Sequence, residues 1–174
     1  MSDKLTVLVT GATGQQGGAT ARILLGRGHA VRALTRNPQS PAARALAEAG
    51  AEIVAGDFND AASLTAAARG VDTAFLMSTP FEAGEAGERQ QGIAAVDAVK
   101  AAGVGHVIFT SVASADQATG IPHFDSKYAV EQHLVASGLN YTIVAPVWFM
   151  DNLVAPWMIG TVRDGTVGIA LDRT

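Results

Sequence analysis

Residues 5–18 read LTVLVTGATGQQGG, an apolar stretch rich in β-branched residues that breaks into glycines three positions apart. The stretch Leu5–Thr10 is typical of a buried strand, and the residues that follow Gly14 have the pattern of a helix. Gly11 allows a sharp turn off the strand, Gly14 leaves the backbone without a covering Cβ, and Gly17 allows close packing of helix on strand. The segment predicts a strand, a tight turn and a helix N-terminus.

A turn of this kind is suited to bind a diphosphate. The first N–H groups of a helix have no partner within it, and the helix dipole places about half a positive charge there. The spacing is G-x-x-G-x-x-G rather than the commonest dinucleotide fingerprint, G-x-G-x-x-G. A glycine-rich turn without a ligand is the alternative. The flanking strand and helix favour a dinucleotide site, to which we assign Gly11, Thr13, Gly14, Gln15, Gln16 and Gly17.

The composition argues against several classes of protein. The 174 residues are 48% hydrophobic and 16% charged, which suits one globular domain with a sizeable core. A net charge of −4 without a Lys or Arg cluster argues against direct nucleic-acid binding, and no apolar stretch is long enough to span a bilayer. The chain has no cysteine, and its histidines lack metal-ligand spacing. We expect a cytoplasmic protein, because the first apolar stretch is too short for a leader.

Strand and helix patterns alternate along the chain. This alternation predicts an α/β fold, a Rossmann-like doubly wound parallel sheet of order 3-2-1-4-5-6 with helices on both faces. Ligands of such sheets bind beyond the C-terminal ends of the strands, near the switch point between strands one and four. We predict strands over Leu5–Thr10, Ala30–Thr35, Glu52–Ala55, Asp72–Met77, His106–Thr110 and Tyr141–Ala145, with a short one at Val167–Ala170. We predict helices over Gln15–Arg27, whose apolar side holds Ala19, Ile23 and Leu24, and over Pro41–Ala49, Asp60–Ala68, Glu85–Ala102 and His123–Ser137.

The residues after strands two and three favour NADP(H) over NAD(H). NAD sites of this architecture place an acid after strand two, bonded to the ribose 2′-hydroxyl, but this chain reads Thr35-Arg36-Asn37. Arg36 can bind a 2′-phosphate through two parallel hydrogen bonds, and its neighbours can add neutral donors. The alternative is an ordinary exposed arginine before a turn. After strand three, Asp57 can accept from the adenine amino group while Phe58 packs on the ring, or Asp57 only caps the next turn.

Together these residues resemble the NmrA-like branch of the atypical short-chain dehydrogenases/reductases. The resemblance implies an NADP-binding Rossmann domain. Relatives include quinone and dye reductases, phenylpropanoid reductases, and redox sensors that bind NADP and grip other proteins. The matching segments cover nearly the whole chain in order: Gly11–Gly18, Thr35–Pro38, Gly56–Phe58, Thr110–Ser111, His123–Lys127 and Pro146–Leu153.

Two features depart from the family pattern. Ser111 and Lys127 fall on the family's catalytic serine and lysine positions, but His123 stands where the tyrosine of Tyr-x-x-x-Lys is expected. Residues four apart share a helix face, so we expect Lys127 to orient the nicotinamide ribose and His123 to act as general acid. Alternatively, His123 only caps the helix and Lys127 only binds coenzyme. The chain is also short for the family, so we expect one domain over residues 1–174, with the usual C-terminal substrate-binding part absent or truncated.

Loops after strands four and six complete the predicted site. Ser78, Thr79 and Pro80 should flank the nicotinamide, and Pro146 is assigned to the coenzyme as well. Candidates for contact with a flat apolar substrate are Phe81, Trp148 and Phe149, for which core packing is the alternative. The apolar cluster 157–159 is predicted to be exposed and to favour a homodimer.

The sequence is compatible with three functions, of which two are favoured. The first is an NADPH-dependent reductase of quinones or similar flat electrophiles, since a quinone requires less of an acid than a ketone does. The second is a redox sensor without catalysis, in which NADP(H) occupancy changes contacts with a regulatory protein. A sugar-nucleotide or isoflavone-type reductase ranks third, because the tyrosine is missing. The expected partner is therefore a small-molecule substrate or a regulatory protein.

Overall fold

The computed structural model describes residues 4–166, which form a parallel six-stranded sheet with helices on both faces. The strand order is β3-β2-β1-β4-β5-β6, as predicted, and every neighbouring pair is parallel. The strands are β1 (Thr6–Val9), β2 (Ala30–Thr35), β3 (Glu52–Ala55), β4 (Thr73–Leu76), β5 (His106–Thr110) and β6 (Tyr141–Val144). The helices are α1 (Gln15–Gly26), α2 (Pro41–Glu48), α3 (Ala61–Ala68), α4 (Gly84–Ala101), α5 (Pro122–Ala136) and α6 (Ile159–Arg163).

The alternation of side chains along the central strands builds two cores, one on each face of the sheet. In β1, Val7 and Val9 belong to the core beneath α1 and α2, whereas Leu8 belongs to the core beneath α3, α4 and α5. All three side chains are buried, because helices cover both faces of this strand. The strand order reverses between β1 and β4, and this switch point lies between two buried strands.

The predicted elements agree with the observed ones to within about a residue or two at their ends. Strands β2, β3 and β5 have the predicted bounds, and Asp60 caps α3 by accepting from the N–H groups of Ala62 and Ser63. The sequence did not predict α6 or the short 3₁₀ helices Ala115–Gln117 and Met150–Val154. The predicted strand at Val167–Ala170 lies outside the described residues.

The predicted apolar side of α1 was wrong for Ala19 and Ile23, whereas Leu24 packs against the core beneath α1 and α2. Ala19 and Ile23 are exposed and Leu24 is half-buried, while the residues that face the sheet are Gly17, Gly18 and Ala21. This helix approaches the sheet too closely for large side chains, so small residues rather than large apolar ones mark its buried face.

Within residues 4–166, none of the helices has the length and apolar character needed to cross a bilayer.

Candidate dinucleotide-binding site

The loop after β1 is built around the predicted glycines. Gly11 adopts a positive φ of 61°, and a Cβ at this position would collide with the side chain of Met77. The Gly14 N–H donates to the Gly11 carbonyl at 2.9 Å and closes the turn. A Cβ on Gly17 would fall on that same carbonyl, so only glycine lets α1 approach this closely.

The N-terminus of α1 has unsatisfied donors. Among residues 4–166, no group accepts from the N–H groups of Gln15, Gln16 and Gly17, and no side chain caps the helix. The first turn also contains no acidic residue to neutralise the dipole. These features are those of an anion site at a helix N-terminus.

A cavity of about 650 Å³ opens beside this loop, at the C-terminal ends of β1, β2, β3 and β4. Its size is in the range of small-molecule and cofactor sites. The structure brings together ten of the predicted coenzyme residues along its walls: Gly11, Thr13, Gly14, Thr35, Arg36, Asn37, Asp57, Phe58, Ser78 and Thr79. The sequence did not single out Ser40, Glu82 and Gln91, which also line it.

The remaining predicted coenzyme residues do not line this cavity. Besides Gln15 and Gly17, these are Gln16, Pro80, Lys127 and Pro146. The Gln16 side chain donates to Thr110 Oγ1 at 2.9 Å, toward the end of β5. The Pro80 carbonyl accepts from the N–H of Gly84 at the start of α4, and the Pro146 carbonyl accepts from the N–H of Ala113 in the loop after β5.

Arg36 is exposed and forms an ion pair with Glu82. Its Nη1 and Nη2 atoms donate to the two carboxylate oxygens of Glu82 at 2.7 and 2.8 Å, and both side chains are 60% exposed. These hydrogen bonds raise the pKa of Arg36 and lower that of Glu82. Glu82 lies in the loop after β4, 46 residues along the chain, so no local sequence pattern pointed to this pair.

Asp57 takes part in the turn after β3 and also lines the cavity. Its Oδ1 atom accepts from the backbone and side-chain nitrogens of Asn59, so it does shape the local turn. It also lines the cavity together with Phe58, whose half-buried ring packs against the core beneath α3, α4 and α5. The turn and the cavity wall are therefore formed by the same residues.

A buried charge cluster lies under the other end of the site. Lys127 Nζ donates to the carbonyls of Ser78 at 2.6 Å and Thr110 at 3.3 Å, and lies 3.1 Å from Glu88 Oε1. The Glu88 side chain is fully buried and also accepts from Ser126 Oγ. Burial lowers the pKa of Lys127, and the charge of Glu88 opposes that shift.

Glu88 was not among the predicted site residues, although its position in the sequence contains a signal. Glu88 shares the buried stripe of α4 with Gly92, Ala95, Val96 and Val99. A charged residue in an otherwise apolar helical stripe is an exception that needs a partner, since ionised side chains are almost never buried unpaired. The partner, Lys127, comes from α5 and was visible only after folding.

The three predicted catalytic residues are placed differently. Lys127 and Ser111 are buried, and the Ser111 hydroxyl has no hydrogen-bond partner within the described residues. His123 is exposed, and its ring stacks edge-on against Phe124 at 4.7 Å. Within residues 4–166, the N-terminus of α5 has no side-chain cap, so the alternative that His123 caps this helix was wrong.

The predicted substrate-contact residues are on the surface. Phe81 is 93% exposed, and Trp148 and Phe149 are exposed as well, so core packing does not account for these three side chains. The apolar cluster 157–159 is divided: Trp157 is exposed, whereas Met158 is buried.

Comparison with known proteins identifies the family. The model of the NmrA-like family matches residues 3–171. The chain belongs to the NmrA-like family. It is 32% identical over 174 residues to quinone oxidoreductase 2 of Escherichia coli, an alignment that covers 94% of this chain and 59% of that protein. The chain spans about half the length of the curated relatives it matches.

Solved structures of the family have the same fold. Triphenylmethane reductase from Citrobacter sp. superimposes with a TM-score of 0.82 at 30% identity, over 93% of this chain and 56% of that one. NmrA, a negative transcriptional regulator solved in complex with NADP, superimposes with a TM-score of 0.73 at 26% identity, over 82% of this chain and 45% of that one. The family thus includes both reductases and a regulator.

Proposed function

We propose that this NmrA-like protein binds NADP(H) and reduces quinones or similar flat electrophiles with NADPH. The observation that carries the proposal is a cavity lined by the glycine loop and by the Arg36 guanidinium. The N-terminus of α1, with its unsatisfied N–H groups, follows directly on that loop. The similarity to quinone oxidoreductase 2 and to triphenylmethane reductase supports this choice of reaction.

The residues present fit this coenzyme. The N–H groups of Gln15, Gln16 and Gly17 would hold the diphosphate, and Arg36 the 2′-phosphate. The buried, unpartnered Ser111 hydroxyl is suited to a polar group of the nicotinamide half, since buried hydroxyls normally have a partner. The coenzyme, when bound, supplies a hydride from its nicotinamide ring.

Lys127 would orient the nicotinamide ribose. An ammonium has three N–H donors, and in this structure they face Ser78, Thr110 and Glu88. Of the two bonds to carbonyls, the one to Thr110 is the longer, at 3.3 Å, and a ribose hydroxyl can replace it at less cost than the one to Ser78. The charge of Glu88 favours the protonated ammonium and opposes the lowering of the Lys127 pKa by burial.

His123 would deliver the proton from the surface. Because it is exposed and makes no hydrogen bond to Lys127 within the described residues, it can exchange protons with water. Reduction of a quinone requires little of such an acid, in agreement with the absence of the usual tyrosine. The matched variants His123→Tyr and His123→Phe separate proton donation from ring packing, since only the first carries a hydroxyl.

The test is NADPH oxidation, followed by absorbance, against a panel of quinones. We expect saturable turnover that Lys127→Met reduces severely and His123→Phe reduces more than His123→Tyr. Absence of turnover with every quinone, by a protein that binds NADPH, would refute the reductase.

A sensor of NADP(H) is the second candidate, favoured by the exposed position of His123 and by the similarity to NmrA. In this case the coenzyme changes the affinity for a regulatory protein, and linkage requires the two affinities to change reciprocally. Partner capture that is identical with and without NADP⁺ would exclude it.

The exposed apolar side chains after β6, among them Trp148 and Trp157, support a homodimer as part of this proposal. Light scattering across a dilution series would show a concentration-dependent mass if they associate.

A further inference from the structure

Glu82 places a carboxylate beside the end of β2, where the sequence has no acidic residue. In NAD sites of this architecture, an acid at the end of the second strand bonds the ribose 2′-hydroxyl. Here that position carries Arg36, but the loop after β4 places Glu82 against it. Both side chains line the same cavity, so the site contains a cation, which favours NADP, beside an anion, which favours NAD.

The geometry of the pair makes Glu82 a substitute for a phosphate. The two parallel N–H···O bonds, at 2.7 and 2.8 Å, occupy the fork of the guanidinium that binds a phosphate in the same bidentate way. Because Glu82 occupies the Nη1/Nη2 edge of the guanidinium, a 2′-phosphate can bind through the same edge only by displacing the carboxylate. Since both side chains are 60% exposed, separating them requires only a modest free energy.

We propose that Glu82 determines the coenzyme preference of this protein by competing with the 2′-phosphate of NADP for Arg36 and by accepting a hydrogen bond from the 2′-hydroxyl of NAD. The inference rests on the coenzyme binding of the proposed function and adds to it a specificity-determining residue. NADP must displace Glu82, whereas NAD leaves the pair intact. The site therefore discriminates less strongly between the two coenzymes than Arg36 alone would.

The experiment is calorimetric titration of the full chain with NADP⁺ and with NAD⁺, for the wild type, Glu82→Gln and Glu85→Gln. The glutamine variant keeps the size of Glu82 and removes its charge. Glu85, an exposed acid in the first turn of α4, is the matched control because its loss changes the net charge equally. Among residues 4–166 it forms no ion pair.

We expect Glu82→Gln to bind NADP⁺ about two- to fivefold more tightly, as release from an exposed ion pair allows. NAD⁺ should bind about two- to fivefold more weakly, because a neutral acceptor replaces a charged one. Glu85→Gln should leave the ratio of the two dissociation constants unchanged. The titrations with adenosine 2′,5′-bisphosphate and 5′-AMP should reproduce the change in ratio, since these probes carry only the adenosine end.

A second measurement separates competition at Arg36 from a general effect of charge. In an Arg36→Ala background, the gain in NADP⁺ affinity from Glu82→Gln should disappear. Persistence of the gain there, or an unchanged or lowered preference for NADP⁺ in Glu82→Gln, would overturn the proposal. If the wild type binds neither coenzyme, the proposed function itself fails. If it binds NADP⁺ and Glu82→Gln does not alter the ratio, only the role of Glu82 fails.

Discussion

The two ends of the candidate site differ in how they are made. At the glycine-loop end (residues 11–17, 35–37 and 56–58), the groups that face the cavity belong to short loops directly after β1, β2 and β3. Three helix N–H groups there have no partner within the described residues. At the lysine end (residues 78–81, 110–111 and 123–127), Lys127 is already bonded to other parts of the chain.

The two ends of the site are therefore ready for a ligand in different ways: one has unpaired donors, and the other has a donor that is already bonded. Backbone donors at the glycine-loop end are held by the fold and await an anion. Lys127 is held by Glu88 and two carbonyls and must exchange one of these bonds to bind anything else. We therefore expect substitutions at the glycine-loop end to alter binding, and substitutions at the lysine end to alter stability and turnover.

The largest expected effect is that of Gly14→Val. The Cβ itself would lie 3.3 Å from the Gly11 carbonyl, a tight contact, and the branched side chain would block the approach of a diphosphate to the backbone. NADP⁺ and NAD⁺ should both bind at least about a hundredfold more weakly, because several charge-assisted hydrogen bonds are lost together. Calorimetry measures both affinities.

Gly26→Ala is the matched control on the same helix. A Cβ there would lie more than 4 Å from every other part of residues 4–166 outside the adjoining helix backbone. Coenzyme affinity should therefore stay unchanged, and stability should rise by up to about 1 kcal/mol. Wild-type affinity in Gly14→Val would mean that the loop does not hold a diphosphate.

Removal of the buried carboxylate at the lysine end comes next. Glu88→Ala leaves the Lys127 ammonium buried without its counter-charge, and should lower the free energy of unfolding by about 3–5 kcal/mol. Urea denaturation should also show that the double variant Glu88→Leu/Lys127→Met is less destabilised than Glu88→Ala. Glu85→Ala, on the exposed side of α4, should cost less than about 0.5 kcal/mol. Equal losses in the two single variants would argue against the buried pair.

Arg36→Ala has a smaller and more selective effect. NADP⁺ affinity should fall by about 1.5–3 kcal/mol through loss of charged hydrogen bonds to the 2′-phosphate. NAD⁺ affinity should change much less, because NAD lacks that phosphate. Equal losses for the two coenzymes, measured by calorimetry, would remove Arg36 from this role.

The smallest effect concerns pH. Burial lowers the pKa of Lys127 from the ordinary value of 10.5, so the folded protein releases this proton at a lower pH than the unfolded chain does. Between the two pKa values the unfolded state holds more protons, and the free energy of unfolding should rise with pH in that window. Urea midpoints measured up to pH 10.5 should show this rise in the wild type but not in Lys127→Met. If the difference in urea midpoint between the two proteins does not change with pH, the lowered pKa of Lys127 is contradicted.

The fold and the glycine-loop end could be predicted because their signals are local. Strands β2 and β3 are bounded by turn residues. The residues that follow them line the cavity because the C-terminal ends of parallel strands meet at one edge of the sheet. Arg36 was predicted to bind the 2′-phosphate from its position directly after β2. The buried face of α1 was mispredicted because closeness of packing, which depends on Gly17 and its neighbours, outweighed hydrophobicity.

The partners of the charged residues could not be predicted in the same way. Glu82 reaches Arg36 across 46 residues, and Glu88 meets Lys127 through the packing of α4 on α5. Helical spacing placed His123 near Lys127, but the structure leaves the imidazole exposed while the ammonium is buried. Residues four apart share a face of the helix, yet side-chain length and the neighbouring helix decide which of them is covered.

The central claim is that the backbone N–H groups of the loop after β1 bind the diphosphate of the coenzyme. Amide proton–nitrogen spectra of the full chain, recorded during titration with NADP⁺, test it most directly. We predict that the signals of Gln15, Gln16 and Gly17 shift saturably and together, with Gly26 as an unaffected reference in the same helix. Signals of the three loop amides that stay in place, while NADP⁺ binding is detected by calorimetry in the same sample, would contradict the claim.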